Sequence, residues 1–177
     1  KRSLGDQVLS QTAIPWIRSR NVAFNTERMK PRTRVYAFFD GVNVSTYVTP
    51  KVIELVKSST ADPNTNETPF VVGETVIGHI SGCRFKVAPA NDGYATDPYG
   101  TGTATLAESY ASQTGFLNID TESLAESVNP NFFGNMNVGE VLIGQTSGAR
   151  AVVKDRRLLT DNVGSIRGTF FIPNPGN

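Results

Sequence analysis

Short apolar stretches, each closed by Gly, Pro, Asp or Asn, run along most of this chain and predict strands rather than helices. Val22, Phe24 and Thr26 alternate with Ala23 and Asn25. Val35-Tyr36-Ala37-Phe38-Phe39 follows, and Asp40-Gly41 then gives a strong hairpin-turn signal before Val42, Val44 and Tyr47-Val48. Residues 51–57 fit either a strand or a short helix; their β-branched content and the lack of a cap after Pro50 favour the strand. Ser58 to Thr68 is a polar loop and the clearest internal boundary. Residues 89–115, rich in Gly, Asp, Thr, Ser and Tyr, predict a long surface loop with a short strand. Phe116-Leu117-Asn118-Ile119 reads as a strand, after which Asp120 or Thr121 caps one helical turn. Asp161-Asn162-Val163-Gly164 turns the chain into a terminal strand at Thr169-Phe170-Phe171-Ile172.

One pattern occurs twice. Val72-Gly73-Glu74-Thr75-Val76-Ile77-Gly78-His79-Ile80-Ser81-Gly82-Cys83-Arg84-Phe85-Lys86-Val87 returns 66 residues later as Val138 to Val153, with nine of sixteen positions identical. What is kept is glycines, strand-formers and a Ser-Gly corner, so each copy predicts a β-hairpin: one over 70–88, the other over 138–154. Gly78 and Gly144 interrupt the first strand of each copy and predict a bend or bulge. Ser81-Gly82 and Ser147-Gly148 supply the tight turn, and Phe85, Val87, Ala151 and Val153 face inward. A lone hairpin is marginal in water, so the two either pair with each other or each seeds its own small barrel. Glu74 and Glu140 read as solvated turn residues, each accepting a nearby backbone N–H, in preference to an acid/base pair.

Composition narrows the chemistry. A net charge of +1 offers no field for nucleic acid or an anionic membrane. The single Cys83 allows no internal disulfide and no zinc cluster, and is read as a buried, inert thiol. The single His79 sits mid-hairpin where the other copy carries Gln145, which makes it a polar strand position rather than a triad member. Phosphate-binding glycine loops and the Gly-x-Ser-x-Gly elbow are missing from the sequence. Asn91-Asp92-Gly93 to Asp97 lacks the regular spacing of a calcium loop. The expectation is therefore no enzyme, no catalytic residue, no cofactor and no metal. The chain starts without Met and stops at Pro173-Asn174-Pro175-Gly176-Asn177, which reads as a segment of a longer polypeptide. Lys1-Arg2-Ser3 leads into polar sequence rather than a secretory signal, and membrane insertion is not expected.

Four aromatics are the candidate interaction or glycan-stacking surface. Trp16 lies beside Arg18 and Arg20, and Tyr94, Tyr99 and Tyr110 lie in the predicted long loop. The plainer reading of Trp16 is a plug at the end of a β core.

Met29-Lys30-Pro31-Arg32-Thr33-Arg34-Val35-Tyr36 is similar to the corner of fibronectin type III and immunoglobulin-like sandwiches, in which the Tyr36 hydroxyl would bond back to the corner's backbone. More broadly, three stretches resemble virion structural proteins of contractile-tailed bacteriophages, including cyanophages. They are Asn21 through Gly41, the twofold Val-Gly-Glu…Gly…Ser-Gly unit, and Leu158-Leu159-Thr160-Asp161-Asn162-Val163-Gly164 with Gly168-Thr169-Phe170-Phe171-Ile172-Pro173. The resemblance implies an all-β fragment: an immunoglobulin/fibronectin-III-like sandwich with an inserted small β-barrel region containing a duplicated β-hairpin. Residues 1–57 would form an N-terminal arm and the first part of the sandwich, 66–156 the inserted barrel, and 157–177 the returning strand and tail. It implies a baseplate or tail-fibre module located in the virion, whose partners are other tail proteins and further copies of itself. The alternative is a carbohydrate-binding module directed at a host-surface glycan.

Overall fold

A computed structural model describes residues 20–126 and 131–172. Trp16 lies outside the described residues. The fold is nearly all β. Six strands form one curled, half-barrel sheet: β6 (Val52–Val56), β7 (Thr75–Gly78), β8 (Arg84–Lys86), β9 (Phe116–Asn118), β10 (Val141–Gly144) and β11 (Arg150–Asp155). Their order is β8-β7-β10-β11-β6-β9, and every neighbour is antiparallel. The pairing of β11 with β6 shifts register between Val153 and Asp155, an irregularity that sharpens local twist and helps the sheet curl. The curl brings the two outer strands together: Val87 bridges Ile119, Ala88 N–H donates to Asn118 O at 2.9 Å, and Asp120 N–H donates to Lys86 O at 3.0 Å. The inner face buries Ile53, Val76, Phe85, Leu117, Ile119, Leu142 and Val153.

A smaller lobe is built from both ends of the described chain. Strands β1 (Arg20–Thr26), β5 (Val48–Pro50) and β13 (Ile166–Ile172) form a sheet of order β1-β13-β5. β1 and β13 pair over seven residues, from Arg20↔Ile172 to Thr26↔Ile166. The remaining pieces are β2 (Arg34–Val35) with β12 (Leu158–Leu159), and the hairpin of β3 (Phe38–Phe39) with β4 (Val42–Asn43). Val48, Leu158 and Ile166 form the buried centre, with Phe24, Met29, Val35, Ala37 and Phe170 packed around it.

The strand expected within 51–57 forms as β6 over Val52–Val56, but it belongs to the six-stranded sheet, not to the small lobe where it was expected. The chain crosses between the two sheets at Lys51. Its backbone N–H donates to Arg167 O on one side, and its carbonyl accepts Ile119 N–H on the other. The side chain is buried too, donating to Ile119 O at 2.9 Å and pairing with Asp92 at 2.7 Å. A buried ammonium is tolerated only when paired and hydrogen-bonded in this way.

Two further expectations are corrected. The corner at Met29–Tyr36 is not closed by its tyrosine: Tyr36 is exposed, with the Arg34 guanidinium 5.2 Å from its ring centre. Thr160 holds the corner instead, its hydroxyl donating to Lys30 O at 2.7 Å and accepting Thr33 N–H at 2.8 Å. Beside it, Gly164 takes φ +82, and a Cβ there would lie 2.0 Å from Met29 O, so only glycine fits. The long loop expected at 89–115 is only partly a surface element: 101–105 and 107–109 are exposed, but Ala90, Tyr94, Thr96 and Tyr110 are buried and anchor the segment to the large core. Helix α1 (Thr121–Glu126) forms where the capping residue predicts it, with Asp120 Oδ1 accepting Ser123 N–H at 3.1 Å. Among the described residues no helix is long and apolar enough to cross a membrane.

Candidate functional site

The two glutamates of the repeated unit are neither solvated nor adjacent. Each reaches into the turn of the other hairpin. Glu140, fully buried, accepts Ile80 N–H at 3.0 Å, Ser81 N–H at 2.9 Å and the Ser81 hydroxyl at 2.6 Å, and takes Asn137 N–H at 2.7 Å from its own strand entry. Glu74 accepts Thr146 N–H at 3.0 Å, Ser147 N–H at 2.9 Å, the Ser147 hydroxyl at 2.7 Å and Val71 N–H at 2.7 Å. The exchange works because β7 and β10 lie side by side, antiparallel, with Ile77 directly opposite Ile143. Gly78 and Gly144 are explained by the same contact. Neither marks a bulge: a Cβ on Gly78 would meet Glu140 at 2.9 Å, and one on Gly144 would meet Glu74 at 2.7 Å. The acceptor sites of each carboxylate are taken up by these donors, and each holds the turn of the other hairpin in place.

The other residues that invited a chemical reading are also occupied structurally. His79 Nδ1 accepts Val141 N–H at 3.1 Å. Cys83 is fully buried, and burial pushes its thiol up to about 11, which suppresses the reactive thiolate. Asp92 is engaged by Lys51, and Asp97 Oδ1 accepts Tyr99 N–H at 2.9 Å. Among the described residues, His, Cys, Asp and Glu gather into no group that would hold a metal ion.

The tyrosines expected to form a stacking surface are turned inward. Tyr94 is 4% exposed, and its hydroxyl accepts Arg167 N–H at 3.0 Å. Tyr99 donates to Val52 O at 2.8 Å with the Arg157 guanidinium 5.5 Å from its ring centre. Tyr110, buried against Phe116, donates to Ala88 O at 2.6 Å and accepts Asn118 N–H at 3.1 Å. These three fasten the 89–115 segment to the sheets, so they do not form an exposed face.

The small lobe carries an exposed apolar face. Asp40 and Gly41 both adopt positive φ, +48 and +77, which closes β3 onto β4 through a two-residue turn. The hairpin leaves Phe38, Phe39 and Val42 64%, 68% and 63% exposed. Beneath it opens a groove of about 290 Å³ floored by Phe24, Met29, Val48, Ile166 and Phe170. The Phe39 and Phe170 rings lie 6.5 Å apart across it. Its lining carries no ionisable group apart from the Tyr36 phenol at the rim. Such a surface suits apolar contact with another molecule. Two adjacent phenylalanines before an Asp-Gly turn were the sequence signal for it, since a hairpin that short cannot bury both. No family model, curated protein or solved structure matches this chain.

Proposed function

We propose that this chain is a structural module of a bacteriophage tail, of the baseplate or tail-fibre kind, which holds subunits together through its surfaces. The observation that carries the assembly reading is the open apolar face of the small lobe, with Phe38, Phe39 and Val42 displayed over a phenylalanine-lined groove. The tail itself is argued from the sequence resemblance of residues 21–41, the twofold Gly-Glu…Ser-Gly unit and residues 158–173. In the same reading the small lobe is an incomplete immunoglobulin-like sandwich, the six-stranded sheet a barrel region inserted into it, and the hairpins the products of a duplication. The 66-residue sequence offset and the mutual Glu74–Ser147 and Glu140–Ser81 contacts support that history.

The glycan-binding alternative loses Tyr94, Tyr99 and Tyr110 to the interior, and an acidic-pair enzyme loses Glu74 and Glu140 to the turns. Immunogold labelling tests the tail assignment. An antiserum raised against the purified chain should decorate the tail of phage particles that carry its gene. Unlabelled particles, with no peptide of this chain in their digested proteins, would overturn it.

A further inference from the structure

Among the described residues strand β1 is an outer strand of the three-stranded sheet, bonded to β13 on one side. Edges of this length usually carry a proline, a bulge or an inward-pointing charge that stops another chain from adding on. Between Asn21 and Thr26 β1 has no proline and no charge, and its register with β13 is unbroken. Helix α1 lies against β1, yet Ala23, Asn25 and Thr26 are exposed and Val22 remains 38% exposed.

The chemistry of the strand reads alike in both directions: Asn21-Val22-Ala23-Phe24-Asn25 is symmetric about Ala23. We propose that β1 pairs antiparallel with β1 of a second copy of this chain, the twofold axis passing between the two Ala23 residues; this rests on reading the chain as a subunit-contact module. In that register Val22 lies opposite Phe24 of the second copy, and Asn21 opposite Asn25. No like charges face each other in this central segment. The pairing is isologous, so it closes on itself as a dimer and leaves no further β1 edge to propagate from. It joins two three-stranded sheets into one of order β5-β13-β1-β1-β13-β5. The apolar faces that floor the two grooves, Phe24 and Phe170 in each, become one surface. The exposed Val22 acquires an aromatic neighbour.

Light scattering during size-exclusion chromatography, followed over a wide concentration range, tests this. The wild-type chain should run as a dimer. Ala23→Lys and Ala23→Glu should each keep the wild-type circular dichroism and raise the dimer dissociation constant by about tenfold or more, because like charges then sit directly opposite. Mixing the two variants in equal amounts should restore the dimer as a mixed species, a gain that a folding defect does not produce. A wild-type monomer at every concentration overturns the proposal. A dimer that both variants leave unchanged, or a mixture that stays monomeric, overturns it as well. Tail labelling is independent of this result, so either reading can fail without the other.

Discussion

Glu140 holds Ser81: its carboxylate accepts the serine hydroxyl at 2.6 Å and the serine N–H at 2.9 Å, although the two residues belong to different hairpins. Glu74 holds Ser147 in the same manner at 2.7 and 2.9 Å. Neither turn is complete without the other hairpin, so local turn formation and long-range strand pairing become one event. The buried Glu140 carboxylate is held by charge-assisted hydrogen bonds from Ile80, Ser81 and Asn137.

Removing that charge has a defined cost. Glu140→Gln places an amide N–H₂ among donors and leaves at least one buried N–H or hydroxyl without an acceptor. We expect a loss of about 2 kcal/mol, read as a lower urea midpoint with an unchanged slope.

The clasp also makes its glycines specific. Gly144→Ala drives a methyl to 2.6 Å from Ser147 Oγ and 2.7 Å from Glu74. About 2 kcal/mol of destabilisation is expected, or a fall of roughly 4–8 °C in melting temperature. Gly102→Ala is the control. Its nearest neighbour would be Ala104 N at 3.8 Å, and thermal unfolding should shift by less than about 0.5 kcal/mol.

Acid should loosen the same contact. Burial pushes the Glu140 carboxyl up, but bonds from Ser81, Asn137 and Ile80 outweigh it and hold it below the ordinary 4.5. A folded-state value below the unfolded one stabilises above pH 4.5, and that stabilisation is lost as pH falls through the depressed value. Denaturation midpoints measured downward from about pH 5 should therefore fall more steeply for wild type than for Glu140→Gln.

Alkali should act through the tyrosines. Burial pushes the Tyr94 hydroxyl up to about 12 from 10, and raises Tyr99 and Tyr110 as well. The unfolded chain ionises first, so the contribution is complete below pH 10 and lost as pH rises towards 12. Tyr94→Phe removes the acceptor for Arg167 N–H and should cost about 1–2 kcal/mol at neutral pH. It should also flatten the alkaline fall in stability, followed by far-ultraviolet circular dichroism.

The displayed phenylalanine should matter to assembly and not to folding. Phe38→Ser changes a side chain that is 64% exposed, so stability should move by no more than about 0.5 kcal/mol. Incorporation into phage particles, measured by complementation, should drop. Full incorporation of the variant would show that this face is not the contact.

Much of the architecture was legible because strand period, turn glycines and caps are local. The Asp40-Gly41 hairpin, the strand at 52–56, the Asp120 cap and the terminal strand can all be read from a few neighbouring residues. So can the Ser-Gly turns, whose Gly82 and Gly148 take φ of +69 and +72. The fates of polar and aromatic side chains were not local. Tyr94 looks like an exposed loop residue until Arg167, 73 positions away, is brought to its hydroxyl.

Glu74 and Glu140 look like separate turn residues until β7 and β10 lie together with Ile77 opposite Ile143. Gly78 and Gly144 look like bends until those carboxylates fill the space a side chain would need. Where the backbone extends and where it turns follows from each residue and its near neighbours. Which polar groups are sealed inside and which apolar ones stay outside follows from the assembled fold, because burial depends on what the rest of the chain brings alongside.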